Sequence, residues 1–114
     1  MANVHTTREP VVFRTWRRGG GVLALFPAWP TDLDGRYCAA YEHIGQHGGA
    51  DYAHCIRQSR PARAAEYREL ARELRAKGSR LIVCKRRTRA MIVEYSEIVR
   101  GWRESGRRDT QFPQ

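Results

Sequence analysis

Lysine is scarce in this sequence, since only Lys77 and Lys85 occur among its 21 basic residues and all the others are arginines. Acidic residues number 12, which leaves a formal net charge of +9. The planar arginine side chain forms paired hydrogen bonds with phosphates and carboxylates and stacks on bases, although a GC-rich genome would also favour arginine and alanine. The excess positive charge predicts attraction to polyanions.

Long apolar runs are absent as well. The longest stretch without a charge, residues 19–31, is too short to cross a membrane and contains two prolines. The first ten residues lack the apolar centre of a signal peptide, which predicts a cytoplasmic protein. A chain of 114 residues with a 41% hydrophobic share is typical of one folded domain. We expect a flexible N-terminus over residues 1–9, a single domain over 10–103 and a flexible tail over 104–114.

Cysteine is limited to three residues, an odd number that cannot pair completely within one chain and that favours reduced thiols. Between Cys38 and Cys55 lie three of the four histidines, His43, His47 and His54. Thiolates and imidazoles are zinc ligands, and Cys38 with these histidines would supply four. Their spacing matches no compact zinc template, so we expect neither a bound metal nor another cofactor.

The first half of the chain has the pattern of a β-sheet. Apolar residues from Pro10 to Trp16 and from Val22 to Phe26, joined by a glycine-rich link, predict a β-hairpin. Pro27 and Pro30 are expected to end its second strand, because proline cannot donate to a sheet ladder. The pattern further predicts a turn over 31–36, a third strand or short helix over 37–44, a loop over 45–49, and a helical turn or irregular segment over 51–58.

The second half predicts two helices around one strand. A helix is expected over 61–77, with Tyr67, Leu70, Ala71 and Leu74 along its apolar side and Gly78 at its end. Residues 81–84 predict a central strand, and a helix capped by Thr88 is expected over 89–102. The apolar residues expected to face inward from this helix are Met91, Ile92, Tyr95, Ile98, Val99 and Trp102. The order β-β-(β)-α-β-α predicts an α+β fold, with a mostly antiparallel sheet of three or four strands covered on one face by two helices.

Two groups of basic residues adjoin the ends of predicted strands, where they could converge on a phosphate backbone. A tryptophan within the first group could stack on an unpaired base, although charged turns are also commonly just solvated. The candidate nucleic-acid-binding residues are Arg14, Trp16, Arg17, Arg18, Lys85, Arg86, Arg87 and Arg89.

The segment Gly45-Gln46-His47-Gly48-Gly49 is a second candidate site. Glycines allow a ligand to approach the backbone closely, and a histidine exchanges protons near neutral pH. Gln46 and His47 are therefore the candidate catalytic residues, while the alternative is an ordinary turn exposed to solvent. No serine or cysteine nucleophile stands at a recognisable triad spacing. The sequence favours a binding protein over an enzyme.

The strings Val12-Phe13-Arg14-x-Trp16 and Ala24-Leu25-Phe26-Pro27, followed by Cys38-x-x-Tyr41-x-His43-x-Gly45-Gln46-His47-Gly48, resemble a family of small uncharacterised proteins of bacteriophages and bacterial mobile elements. The similarity spans about residues 10–90. It assigns no functional residue, but it implies a setting in which small proteins commonly bind nucleic acid or host proteins. The leading hypothesis is nucleic-acid binding. The alternatives are a protein-interaction module, such as a host-factor inhibitor or a homodimer, and a small enzyme or ligand site at Gln46 and His47.

Overall fold

The computed structural model describes residues 8–42 and 46–106, and within these ranges it shows an α+β fold with one six-stranded sheet and three helices. The α+β prediction is confirmed, whereas the number and order of elements differ from those expected. In chain order the elements are β1 (Arg8–Trp16), β2 (Val22–Pro30), β3 (Cys38–Glu42), β4 (Gln46–Ala50), α1 (Tyr52–Arg57), β5 (Ser59–Pro61), α2 (Ala64–Ala76), β6 (Arg80–Cys84) and α3 (Arg89–Glu104).

The predicted hairpin is present as β1 and β2, which pair antiparallel with Val12 opposite Leu25. The expectation that Pro27 ends the second strand is wrong, because β2 continues to Pro30. The pairing of β2 with β3 shifts register between Phe26 and Pro30. Pro27 lies within this irregular stretch, where no ladder N–H is required of it.

Strand β3 confirms the strand interpretation of residues 37–44, but the prediction of a loop over 45–49 is wrong. Residues 46–50 form β4, which pairs antiparallel with β3, Gly48 lying opposite Ala40. Backbone hydrogen bonds form this pairing, so a glycine-rich segment can adopt it without apolar side chains. The glycines also allow a close approach, since a Cβ on Gly49 would lie 2.6 Å from Thr31 Oγ1.

We expect Gly49→Ala to lower the free energy of unfolding by about 1–3 kcal/mol, since overpacking forces the neighbours to move. The added methyl group would also lie 3.4 Å from Tyr37 Cβ. Gly48→Ala is the matched control, because nothing lies within 4 Å of its Cβ position. Urea denaturation of both variants measures the difference, and equal stabilities would contradict the proposed contact.

Helix α2 covers one face of the sheet. Its predicted apolar side is confirmed, because Leu70, Ala71 and Leu74 are buried and Tyr67 packs against the same cluster. The ring of Tyr67 stacks on Phe13 of β1 with centroids 4.4 Å apart. Gly78 follows the helix with φ +104°, a conformation that favours glycine. The helix begins at Ala64, not Pro61, because Pro61 pairs with Arg14 in the sheet.

The start of α2 is held by Glu66, whose carboxylate accepts hydrogen bonds from the Arg60 side chain and the Arg63 backbone. The Arg60 hydrogen bond is the main reason why the pKa of Glu66 falls from 4.5 to about 2. A lowered folded-state pKa means that this contribution to stability is present above about pH 4.5 and is lost as the pH falls towards 2.

We expect the free energy of unfolding of Glu66→Gln to fall less than that of the unmodified protein between about pH 5 and about pH 2, because the amide has no charge to lose. Urea denaturation at several pH values tests this, with Glu69→Gln on the same helix as the control.

The opposite face of the sheet is covered too, by α1 and α3, which corrects the expectation of one covered face. Leu23 and Leu25 point to this side, where they pack with Val12 and the buried thiols of Cys38 and Cys55. The faces alternate along each strand because successive side chains point in opposite directions. Each face of β1 carries buried apolar side chains, Val11 and Phe13 on one and Val12 on the other, so each face packs against its own helical layer.

One edge of β1 pairs with β2, and its other edge pairs with β5 along one part and with β6 along another. Strand β5 pairs antiparallel with the end of β1, whereas β6 pairs parallel with its beginning, Cys84 lying opposite Val12. In the described part of the chain β6 pairs only with β1. The prediction of a central strand is therefore wrong. Consistent with this edge position, Val83 in the middle of β6 is 41% exposed.

Helix α3 begins as predicted, with the Thr88 hydroxyl accepting a hydrogen bond from the Met91 backbone. Met91 and Val99 are buried, as the apolar spacing indicated, but Ile92 is 45% exposed. None of the helices within the described ranges has the length and apolar character needed to span a bilayer.

Candidate functional site

One concave site in the described part of the chain is a cavity of about 480 Å³ that we call the α3 cavity. It lies between α3, the β2–β3 connection and the first residue of α1. Four arginines and three tyrosines contribute to its wall, namely Arg36, Arg87, Arg100, Arg103, Tyr37, Tyr52 and Tyr95.

The β2–β3 connection is held in place on both sides. Within it, Asp32 Oδ1 accepts hydrogen bonds from the backbone N–H groups of Arg36 and Tyr37. From α3, the Tyr95 hydroxyl donates to the Tyr37 carbonyl at 2.7 Å, and the Arg103 guanidinium donates to the Leu33 carbonyl. These contacts fix the wall of the α3 cavity and hold Tyr37, a residue that is 40% exposed, in that wall.

Arginines dominate the charge of the α3 cavity. Arg87 lies 4.4 Å above the ring of Tyr52, and its backbone N–H donates to the Tyr52 hydroxyl. Arg36 and Arg100 are exposed, and in the part of the chain described by the structure no carboxylate forms an ion pair with them. One aspartate, Asp34, lines the cavity. An anionic ligand would therefore meet two uncommitted guanidinium groups.

Cys38 also lines this cavity, but its thiol does not suit nucleophilic chemistry. Burial is the main cause that raises its pKa to about 12, and the neighbouring Cys55 raises it further. Burial raises the pKa of Cys55 as well. Both groups are therefore neutral thiols at physiological pH, and the thiolate is the reactive form.

Arg14, the first predicted nucleic-acid contact, does not face solvent, and this is a correction. Its side chain is only 8% exposed and donates to Ser59 Oγ at 2.9 Å, to the Ser59 carbonyl at 2.9 Å and to the Ile56 carbonyl at 3.1 Å. Burial lowers the pKa of Arg14. This guanidinium joins β1 to α1 and β5, so it is occupied by its own chain.

Trp16, the predicted stacking residue, is half-buried against the α1 side of the sheet. Its indole N–H donates to Glu42 Oε2 at 2.6 Å. It lines a second cavity of about 370 Å³, apart from the residues of the α3 cavity. The structure therefore separates Trp16 from the arginines of the α3 cavity.

Two of the remaining predicted basic residues, Arg17 and Arg87, lie at opposite ends of α1. The backbone of Arg17 donates to the Gln58 carbonyl, just after α1, whereas Arg87 contacts Tyr52 at its start. Six helical residues span about 9 Å. Arg18 neighbours Arg17 in the β1–β2 turn, and Lys85, Arg86 and Arg89 are exposed around the link to α3.

The predicted site at Gln46 and His47 lies on β4, where His47 is opposite Tyr41 and Gln46 opposite Glu42. Their side chains lie outside what the structure describes, so the catalytic hypothesis stays a prediction. The second cavity adjoins Gly48 and Gly49 of this strand.

Among the candidate zinc ligands, Cys38 is buried, His54 is exposed on α1 and His43 lies outside the described residues. Within residues 8–42 and 46–106, no group of three or more potential ligand residues is placed to hold a metal. His47 has only its backbone position described.

Most of the α3 cavity, including Arg36, Arg100 and Arg103, was not predicted from the sequence. A signal was present on α3, where Tyr95, Val99 and Arg103 recur at intervals of four residues and so share one side of the helix. The prediction there concerned only apolar residues. The approach of the 31–37 connection to this side required the tertiary structure.

The chain matches no family model, no curated protein and no solved structure. The resemblance to a bacteriophage and mobile-element family therefore stays a prediction, as does a cytoplasmic location.

Proposed function

We propose that this protein binds single-stranded nucleic acid at the α3 cavity. The observation that carries the proposal is the placement of four arginines and three tyrosines around one opening of about 480 Å³. Guanidinium groups bind phosphates, and aromatic rings stack on unpaired bases. This pairing of chemistries is typical of proteins that bind single strands.

The shape of the site favours an unpaired base over a duplex. A cavity of this size is in the range that accommodates a small ligand, and Tyr37 in its wall is 40% exposed. Bases in a duplex are stacked on one another and cannot enter such an opening without being flipped out. Arg36 and Arg100 are then available for the phosphates on either side of the inserted base.

The basic residues at the far end of α1 provide a continuation of the path. Arg17 and Arg18 lie beyond α1 from Arg87, about one short helix away. Phosphates on one strand follow one another within a few ångströms, so a strand of several nucleotides covers that distance. The proposed path therefore leaves out two of the nucleic-acid-binding residues predicted from the sequence, Arg14 and Trp16. It keeps the other six, namely Arg17, Arg18, Lys85, Arg86, Arg87 and Arg89.

Fluorescence anisotropy with a labelled single strand, the matching duplex and nuclease-treated protein tests the proposal. We expect the single strand to bind more tightly than the duplex, with an affinity that falls steeply as salt rises. Equal affinity for the single strand and the duplex would mean that the protein recognises only the phosphate backbone of the nucleic acid and does not bind an unpaired base. The absence of binding at low ionic strength would overturn the proposal.

Tyr37 provides the sharpest test of stacking. We expect Tyr37→Leu to weaken single-strand binding about tenfold, because stacking on an aromatic side chain contributes about 1–3 kcal/mol per base. Tyr37→Phe keeps the ring and should bind nearly as well as the unmodified protein. Both variants retain the carbonyl that accepts the Tyr95 hydrogen bond. Equal losses in the two variants would contradict a stacking role.

A further inference from the structure

The outer edge of β6 is open in the described part of the chain. Strand β6 pairs with β1 along one side and with no other described strand. Its central residues Ile82 and Val83 are 38% and 41% exposed. An edge of this kind presents unpaired N–H and C=O groups that can pair with another strand.

The middle of β6 lacks the devices that usually prevent such pairing. Proteins commonly protect an edge strand with a proline, a bulge or a charged side chain in its centre. Residues 81–83 are Leu, Ile and Val, and the pairing with β1 is continuous from Arg80 to Cys84. The edge is therefore suited to pairing and offers apolar side chains as well.

Charge at the ends of β6 determines what kind of strand fits. Arg80 is exposed at its beginning, and Lys85 and Arg86 are exposed directly after its end. A second copy of β6 in antiparallel pairing would bring these basic ends together, and like charges across a strand pair destabilise it. A strand with acidic residues at both ends would meet opposite charges in either direction.

We propose that the β6 edge binds an extended segment of another protein, with an apolar centre and carboxylates at both ends. The segment adds a strand to the sheet beyond β6, so that backbone hydrogen bonds supply affinity and the flanking carboxylates supply selectivity. The four arginines that line the α3 cavity take no part in this contact, which shares only Lys85 and Arg86 with the proposed nucleic-acid path.

The test is a binding titration with labelled peptides of about seven residues, the length of an ordinary strand. A peptide of alternating valine and threonine with glutamates at both ends is expected to bind at least about tenfold more tightly than the same peptide with lysines at its ends. N-methylation of alternate amides in the glutamate peptide should abolish binding, because the strand ladder needs those N–H groups.

The variant Arg80→Glu/Lys85→Glu should reverse the preference and favour the lysine peptide, whereas Arg36→Ala/Arg100→Ala should leave peptide binding unchanged. Circular dichroism shows whether each variant is folded. If the charge-reversal variant is unfolded, the comparison of the glutamate peptide with its N-methylated form still tests the proposal on the unmodified protein. Equal binding of all peptides, binding of none, or a dimer in analytical ultracentrifugation that Ile82→Lys separates would overturn the proposal.

Discussion

Replacing Arg36 and Arg100 together with alanine is expected to weaken single-strand binding by at least about tenfold at low salt. Both guanidinium groups are exposed at the α3 cavity and form no ion pair with any described carboxylate. Their loss removes phosphate contacts without breaking contacts within the protein. The slope of log affinity against log salt should become shallower by about 1.4, since each single-strand phosphate contact contributes about 0.7.

The matched control is Arg68→Ala/Arg72→Ala, which removes the same charge from exposed positions on α2. Helix α2 lies on the other face of the sheet, so this variant changes the net charge but not the α3 cavity. If net charge alone drives binding, the two double variants will lose affinity equally. That result would contradict a localised site, and thermal denaturation of both variants checks that folding is intact.

Replacing Arg14 with methionine is expected to lower the free energy of unfolding by about 2–4 kcal/mol, because hydrogen bonds from a charged donor are lost and their acceptors stay buried. The guanidinium makes three hydrogen bonds, and they reach only Ser59 and the Ile56 carbonyl. Ser59 is fully buried and itself donates to the Cys55 carbonyl. Methionine fills similar space but donates nothing to these groups.

The control for this variant is Arg17→Met, three residues further along. Arg17 is exposed, and its one described hydrogen bond to Gln58 comes from the backbone, which the substitution preserves. Its unfolding free energy should stay within about 0.5 kcal/mol of the unmodified protein. Urea denaturation measures both. A stable Arg14→Met protein that has lost nucleic-acid binding would restore Arg14 to the interface and contradict its structural role.

Much of the local structure could be predicted from residue spacing. The strand periodicity around Val12 and the i, i+3, i+4 spacing from Tyr67 to Leu74 both correspond to elements of the fold. The Thr88 cap and the Gly78 terminus were also predictable, because they depend on neighbours within a few residues. Strand β4 could not be predicted in this way, because its glycine-rich sequence shows no strand periodicity. It is a strand because it pairs with β3.

The candidate site was likewise predictable in its composition but not in its three-dimensional arrangement. Arginine-rich composition indicated an anion-binding protein, but the sequence does not distinguish a buried arginine from an exposed one. Arg14 lies in β1 among apolar residues, and its side chain turns inward to carbonyl groups at the end of α1 and the start of β5. Arg36 and Arg100 are 64 positions apart in the numbering yet line one cavity, because α3 packs beside the β2–β3 connection.

The sequence by itself determined the α+β class, the hairpin, the glycine that ends α2, the cap that begins α3 and the surplus of arginine. Each of these depends on composition or on residues close together in the chain. Only the tertiary structure decided that both sheet faces are covered, that β6 lies parallel to β1 at an open edge, and which arginines remain exposed. Those outcomes depend on which distant surfaces pack together, since burial and long-range pairing set the free energy of each arrangement.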